Sequence, residues 1–150
     1  MTLRRATAAD VAALAALRRA WVEENGGVIV DTRTFERDFA QWYAAEAGRR
    51  LTWVAAAGDE AVGMLNLVEF HRMPRPGRLH STWGYISNVF VLAGHRNRGI
   101  GRQLLEVAIG AARERGYARL VLSPSDRARP LYARVGFGAA DALMLMPLGE

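Results

Sequence analysis

Apolar residues recur along the chain at two spacings, one typical of helices and one typical of strands. Leu14, Leu17 and Trp21 follow helical spacing, whereas the stretch 51–57 is a short apolar run of the kind found in buried strands. The first half of the chain predicts a strand at 3–6, a helix that follows a capping-box-like sequence at 7–10 and stops before 25–27, and a second helix that stops near 48. Strands follow at 51–57, 61–70 and 80–92. The remaining predicted elements are a helix at 100–112, a strand at 118–122, a short helix from 123–125 through 134, and a terminal strand at 142–146. This order predicts a mixed α/β fold.

Length and composition favour one domain over residues 1–150. The chain is 51% hydrophobic and is long enough to bury about two-thirds of its extended-chain surface. It has no uninterrupted apolar run of membrane-spanning length and does not start like a secretory signal, so we expect a cytoplasmic protein without a membrane partner. With no cysteine, three histidines and no HExxH spacing, no protein-held metal is expected.

The net charge of +5 arises from 20 arginines and no lysine. These arginines are spread along the whole chain and do not build one continuous basic stripe, and aromatic residues are not interleaved with them. Nucleic acid is therefore not an expected partner.

A glycine-bearing turn between the strand at 80–92 and the helix at 100–112 is the strongest candidate for chemistry. A turn that passes directly into a helix directs free backbone N–H groups and the positive end of the helix dipole at one small volume. Glycines let an anion approach the backbone closely, and arginines add charge around it. The turn reads Arg96-Asn97-Arg98-Gly99-Ile100-Gly101-Arg102.

Two common phosphate motifs do not fit this turn. Gly94 and Gly99 have the separation of the outer P-loop glycines, but Ile100 and Gly101 stand where that loop needs Lys and Ser/Thr. Leu104 occupies the third glycine position of a dinucleotide fingerprint. The turn is thus predicted to bind a pyrophosphate in some other fold; a plain glycine turn with solvated arginines is the alternative.

At three places the chain resembles the GCN5-related N-acetyltransferase (GNAT) family. The family's Arg/Gln-x-x-Gly-x-Gly/Ala loop is matched by Arg96, Gly99 and Gly101. Its preceding strand is matched by residues 87–91, and its Leu-Tyr-x-x-x-Gly-Phe ending by residues 131–137. The resemblance covers nearly the whole chain and implies a mixed, mostly antiparallel sheet of six to seven strands with about four helices, splayed apart after the fourth strand.

The resemblance also implies a set of cofactor-binding residues. Acetyl-CoA would enter between the fourth and fifth strands as the acetyl donor, with no metal. Main-chain groups of Val89, Phe90 and Val91 would contact the pantetheine arm and the thioester carbonyl, and the N–H groups from Asn97 to Arg102 would hold the pyrophosphate. Simple sheet core is the alternative interpretation of the three strand residues.

Two residues near the C-terminal end match further family positions. Tyr132 corresponds to the family's tyrosine near the coenzyme sulfur, where a phenol can protonate the departing thiolate. Packing over the core is its alternative role. Ser125 stands where many members carry an asparagine that contacts the coenzyme, and it is equally suited to capping the following helix.

The chain departs from the family at the general base. Many members place a glutamate on the fourth strand two or three residues before Phe/Tyr-x-Val, where this chain has Ser87 and Asn88. Neither side chain is a competent base at neutral pH. Glu69 is the carboxylate nearest to that region in sequence, and a water relayed through Ser87 or Asn88 is the alternative.

The acceptor is less defined by the sequence. In this family the first helix pair and the loop after the third strand usually wall the acceptor pocket, which here implies residues 21–30 and 71–80. We expect an N-acetyltransferase that acts on a primary amine by direct attack in a ternary complex; a catalytically silent acyl-CoA-binding or sensor domain is the alternative. Apolar edges in the terminal strands would suit a homodimer.

Overall fold

Five strands form the sheet in the described part of the computed structural model, which comprises residues 1–28 and 31–149. They are β1 (Thr2–Arg5), β2 (Arg50–Ala57), β3 (Glu60–His71), β4 (Thr82–Val91) and β5 (Leu120–Leu122). The strands lie side by side in chain order; β1 to β4 are antiparallel, and β5 is parallel to β4. A parallel pair requires a crossover connection, which the helix between β4 and β5 supplies.

Four α-helices of the described ranges flank this sheet, as the sequence predicts. They are α1 (Val11–Glu24), α2 (Thr32–Glu46), α3 (Ile100–Glu114) and α4 (Arg129–Arg134). None of the helices in the described ranges has the length and apolarity needed to cross a bilayer. The mixed, mostly antiparallel fold is confirmed.

The sheet has a separate apolar core on each face. On one face the buried side chains of α3, including Leu104 and Leu105, pack against the central strands. On the other face Leu14 and Leu17 of α1 pack against the sheet, with partly buried aromatic residues of α2 beside them. The alternation of side chains along a strand explains why neighbouring residues of β3 belong to different cores.

The capping box predicted before α1 is present. The Asp10 carboxylate accepts a hydrogen bond from the Thr7 backbone N–H at 2.7 Å, and the Thr7 hydroxyl accepts one from the Ala9 N–H. Arg4 of β1 forms a two-pronged ion pair with Asp10, both bonds 2.8 Å long. This ion pair is the largest of the effects that lower the pKa of Asp10 to about 2. The start of α1 is thereby fixed to the edge of the sheet.

The sheet opens between β4 and β5. Gly84, Tyr85 and Ile86 of β4 pair with the three residues of β5, and the pairing ends there. β4 continues to Val91, so its last five residues have no β5 residue opposite them. The predicted splay after the fourth strand is therefore confirmed.

The predicted number of strands, six to seven, is wrong, because the terminal segment at 142–146 does not form a strand in the described chain. Met144 and Leu145 are almost fully exposed, at 101% and 89%. Strand-forming residues become a strand only where a neighbouring strand supplies hydrogen-bond partners and a surface to pack on. The apolar pattern alone therefore misled the prediction.

The junction of β4 and β5 can be tested through Gly84. A Cβ atom at this position would lie 2.8 Å from Leu120 Cδ2 and 3.0 Å from Tyr117 Cε2. We expect Gly84→Ala to lower the free energy of unfolding by about 1 to 2 kcal/mol through overpacking. Gly110→Ala is the matched control within α3, where a Cβ meets nothing within 4 Å and helix propensity predicts a gain of up to about 1 kcal/mol. Urea unfolding measures both; equal effects would contradict the described packing.

Candidate active site

The turn between β4 and α3 exposes backbone N–H groups. Asn97 and Gly99 both have positive φ, 62° and 80°, and Gly99 is the N-cap residue of α3. No side chain of the described chain caps this helix, and the first internal backbone bond runs from the Gln103 N–H to the Gly99 carbonyl. The N–H groups just before Gln103 are therefore free of helix partners, and they lie at the positive end of the helix dipole. Such a concave set of donors can bind an anion.

The arginines of the turn differ in their surroundings. The Arg96 guanidinium donates from Nε to the Val91 carbonyl at 2.9 Å and pairs with both carboxylate oxygens of Glu24, at 2.5 Å. Arg102 pairs with Glu106 at 2.8 Å, and Arg98 is exposed. Arg96 thus links the last residue of α1 to the end of β4. The anion site rests on the backbone more than on the Arg96 side chain.

A β-bulge interrupts β4 next to its open edge. Asn88 and Val89 together face one residue of β3, Leu65, and Asn88 has a φ of 54°. A bulge breaks the regular hydrogen-bond ladder and redirects side chains. Val89 and Val91 pack toward the α3 core, and Phe90 is buried in the opposite core. Their side chains are sheet core, as the alternative interpretation has it, while their backbone borders the opening of the sheet.

Tyr132 lies on α4, which packs against the start of α3. The neighbouring Leu131 has its Cδ2 atom 3.5 Å from where a Cβ would stand on Gly101. The Tyr132 ring meets Phe137 edge-on at a centroid distance of 6.0 Å. Burial raises the pKa of the Tyr132 phenol above its usual value. The Ser125 hydroxyl accepts a hydrogen bond from the Ala128 N–H at 3.3 Å, in the turn before α4.

Glu69 lies away from these residues. Its carboxylate accepts hydrogen bonds from the Tyr117 hydroxyl and from Arg115, the latter at 3.3 Å. It pairs in register with Gly84, four residues before Asn88, which is on the order of 13 Å along the strand. Burial, together with the bond to Glu69, raises the pKa of Tyr117. The structure does not bring Glu69 to the other predicted site residues.

A cavity of about 280 Å³ lies between α1, α2 and the sheet. Its walls combine one arginine, four aromatic side chains and several polar residues. They are Leu14, Arg18, Phe35, Phe39, Trp42, Tyr43, Thr52, Met64, Asn66 and Asn88. Asn88 connects this cavity to the bulge of β4.

Sequence reasoning did not foresee this cavity. It expected acceptor walls at 21–30 and 71–80, and none of the lining residues belongs to either range; residues 29 and 30 lie outside the described ranges. No described residue of α2 is fully buried, although the helix carries four aromatic side chains. The informative signal was the close spacing of four aromatic residues between positions 35 and 43 of one helix.

Comparisons with known proteins find matches over most of the chain. A family model for the acetyltransferase (GNAT) family matches residues 14–137. The chain belongs to this family. A GCN5-related N-acetyltransferase from Ralstonia eutropha JMP134 is 29% identical, with a TM-score of 0.76 over 98% of this chain and 97% of that one. A second similar structure is the crystal structure of a predicted acetyltransferase with acetyl-CoA, from Clostridium acetobutylicum. It is 20% identical to this chain, and the two superimpose with a TM-score of 0.79 over 98% of this chain and 96% of that one, which shows a common fold.

Curated GNAT-type relatives match shorter segments. Glucosamine 6-phosphate N-acetyltransferase of Trypanosoma brucei brucei is 29% identical over 87 residues, which are 58% of this chain and 57% of that protein. An uncharacterized N-acetyltransferase of Streptomyces avermitilis is 44% identical over 55 residues, 37% of this chain and 13% of that protein. The chain thus spans little more than half the length of one and about an eighth of the other.

Glu69→Gln distinguishes a structural carboxylate from a catalytic base. We expect a loss of about 1 to 2 kcal/mol in the free energy of unfolding, because a charged acceptor of the Tyr117 hydroxyl and Arg115 is weakened. The pH dependence of acetyl transfer should stay as in the wild type. Parallel urea unfolding and pH–rate profiles measure the two effects. A displaced pH profile at unchanged stability would assign Glu69 to the chemistry instead.

Proposed function

We propose that the chain transfers an acetyl group from acetyl-CoA to a primary amine by direct attack in a ternary complex. The observation that carries the proposal is the continuity of two features. The unpaired end of β4 runs within a few residues into the uncapped start of α3. An extended arm with a pyrophosphate at one end suits such a surface, because a strand edge and a helix N-terminus both offer backbone hydrogen bonds. Membership of the GNAT family supports the same assignment.

The residues present fit acetyl-CoA through their backbone. Gly99 can hold its positive φ without strain, and its lack of a Cβ leaves the turn open to a bulky phosphate. Acetyl-CoA supplies an acetyl group activated as a thioester. We assign its binding to the end of β4, to the turn and to the start of α4: Val89, Phe90, Val91, Arg96, Asn97, Arg98, Gly99, Ile100, Gly101, Arg102, Ser125 and Tyr132.

Backbone donors at the β4 bulge and the Tyr132 phenol would carry the chemistry. A backbone N–H directed at the thioester carbonyl would stabilise the negative charge that develops there, an effect of roughly 3 kcal/mol for one donor. Tyr132 would donate its proton to the departing thiolate. Because burial raises its pKa, the phenol stays protonated and able to donate at neutral pH.

The amine must lose its proton before it attacks. Within residues 1–28 and 31–149, no carboxylate lines the cavity at Asn88, so we assign this step to water at the bulge rather than to Glu69. The Ser87 hydroxyl donates to the Asn66 carbonyl at 3.4 Å, which leaves the Ser87 oxygen able to accept a hydrogen bond from that water.

The lack of a carboxylate among the described lining residues of the cavity also favours the second candidate function, a silent acyl-CoA-binding domain. Release of free thiol from acetyl-CoA in the presence of amines distinguishes the two.

A negative charge introduced at position 99 tests the proposal that this turn binds the pyrophosphate. Asn and Asp have nearly the same shape and both tolerate a left-handed backbone, so Gly99→Asn and Gly99→Asp differ mainly in one negative charge. We expect Gly99→Asp to bind acetyl-CoA at least about tenfold more weakly than Gly99→Asn, a difference of about 1.4 kcal/mol. Isothermal titration calorimetry measures both variants. Equal affinities would remove the anion site from the turn.

Removal of the Tyr132 hydroxyl tests its role as an acid. We expect Tyr132→Phe to lower kcat by about 10²-fold, the lower end for a lost general acid, while the Kd for acetyl-CoA is retained. Since the pKa of Tyr132 is raised, ionisation of this phenol should lower wild-type activity only at a higher pH than ionisation of an ordinary tyrosine would. Tyr85→Phe, which removes a hydroxyl bonded to Ser123, is the control. A Tyr132→Phe enzyme with wild-type kcat would make the ring only a packing element.

A further inference from the structure

Among the described residues that line the cavity between α1, α2 and the sheet, one side chain is cationic and none is anionic. Arg18 enters it from α1, and aromatic residues of α2 form the wall beside it. Thr52, Asn66 and Asn88 contribute polar groups from the sheet. A pocket with this lining favours a small ligand that has a negative group and an apolar part.

Arg18 is the unusual residue of this cavity. Its Nη1 atom is buried and has no hydrogen-bond partner among the residues that the structure describes. The guanidinium stacks on Trp21, 4.4 Å from the ring centroid. Burial lowers the pKa of Arg18, and no carboxylate of the described chain offsets this effect. A buried donor without a partner costs free energy unless a ligand satisfies it.

Arg50, which bonds to the cavity residue Asn66, has its partners within the protein. Arg50 forms an ion pair with Glu46 at 2.9 Å and donates to the Asn66 side-chain oxygen at 2.9 Å. The Asn66 amide nitrogen in turn donates to the Thr52 hydroxyl at 3.1 Å. These bonds hold the polar floor of the cavity in a fixed arrangement. Among the described residues that line the cavity, Arg18 is the cation that is left to receive an external anion.

We propose, on the basis of the acetyltransferase function above, that the acceptor is a small amine of the α-amino-acid class, whose carboxylate pairs with Arg18 and whose apolar side group packs on the aromatic residues of α2. A single guanidinium matches one carboxylate through two parallel hydrogen bonds. A volume of about 280 Å³ suits a molecule of amino-acid size.

The cavity also reaches the part of β4 where we propose that the thioester binds. Asn88 belongs both to its wall and to the bulge of β4, beside the proposed path of the thioester. In the proposed step the amine nitrogen forms the amide C–N bond as the thioester C–S bond breaks. The ammonium group first gives one proton to water. The nitrogen loses its second proton as the C–N bond forms, and this proton passes through water to Tyr132, which gives its own phenol proton to the departing thiolate and so ends as the neutral phenol. An N-acetylated amino acid and free thiol are the products.

The experiment compares L-phenylalanine with L-phenylalaninamide, in which a neutral amide of similar size replaces the carboxylate, and expresses both rates per deprotonated amine. It adds D-glucosamine 6-phosphate as an acceptor with a different anion. Acetyl transfer from acetyl-CoA is followed by thiol release in the wild type and in Arg18→Gln, Arg18→Lys and Arg19→Gln. Arg19 is the control, because its guanidinium lies 3.8 Å from Glu23 on the exposed side of the same helix. Calorimetry with acetyl-CoA accompanies each variant to establish that the fold and the cofactor site are intact.

We expect the wild type and Arg19→Gln to prefer the free acid over the amide by at least about tenfold in kcat/KM. In Arg18→Gln this preference should fall to within about threefold, because KM for the free acid rises. Arg18→Lys should show a preference between those of the wild type and Arg18→Gln. The Kd for acetyl-CoA should be unchanged in both variants. Equal use of acid and amide by the wild type, a preference that survives in Arg18→Gln, or acetylation of glucosamine 6-phosphate alone would overturn the inference while leaving acetyl transfer in place.

A binding measurement separates this inference from the proposed function. N-acetyl-L-phenylalanine keeps the carboxylate and needs no turnover. We expect it to raise the Tm of the wild type and of Arg19→Gln, but not that of Arg18→Gln. If these Tm increases are found but no thiol is released from acetyl-CoA, the proposed acetyl transfer is contradicted, whereas the binding of a carboxylate by Arg18 is supported. Equal stabilisation of all three proteins, or of none, would overturn the carboxylate site itself.

Discussion

The end of pairing between β4 and β5 is the constraint on which the rest of the site depends. β5 has only three residues, so β4 keeps backbone groups unpaired beyond Ile86. A bulge at Asn88 adds to this local opening. Unpaired backbone groups inside a fold are costly unless water or a ligand satisfies them. The opening is therefore more readily explained as a binding surface than as a defect of the sheet.

Arg96 joins the two halves of this site. Its guanidinium connects Glu24 at the end of α1 with the Val91 carbonyl at the end of β4. The helix that carries Arg18 is thus fixed relative to the strand that leads to the turn at Gly99. Because the ion pair lowers the pKa of Glu24, this link persists at a pH at which an ordinary glutamate would begin to be protonated. Rigid positioning of donor and acceptor relative to each other is a large part of what a transferase contributes to the rate.

Local signals in the sequence predicted local features well. The capping box at Thr7 and Asp10 and the glycine turn at Gly99 were predictable, because each is set by backbone geometry within a few residues. Features that depend on distant partners were not. The apolar terminal segment lacks a neighbouring strand, and Glu69 bonds to Tyr117, 48 positions away. The cavity at Arg18 needed three elements to be placed together, which no spacing pattern reveals.

Backbone resonances give the most direct test of the central claim, that the open end of β4 and the start of α3 together hold acetyl-CoA. At 16.5 kDa the chain suits amide nitrogen–proton correlation spectra, recorded during a titration with acetyl-CoA. The account predicts saturable shifts that cluster at residues 87–91 and 97–102. Saturable shifts confined to other regions, such as β1 and β2, or no shifts at millimolar acetyl-CoA, would contradict it.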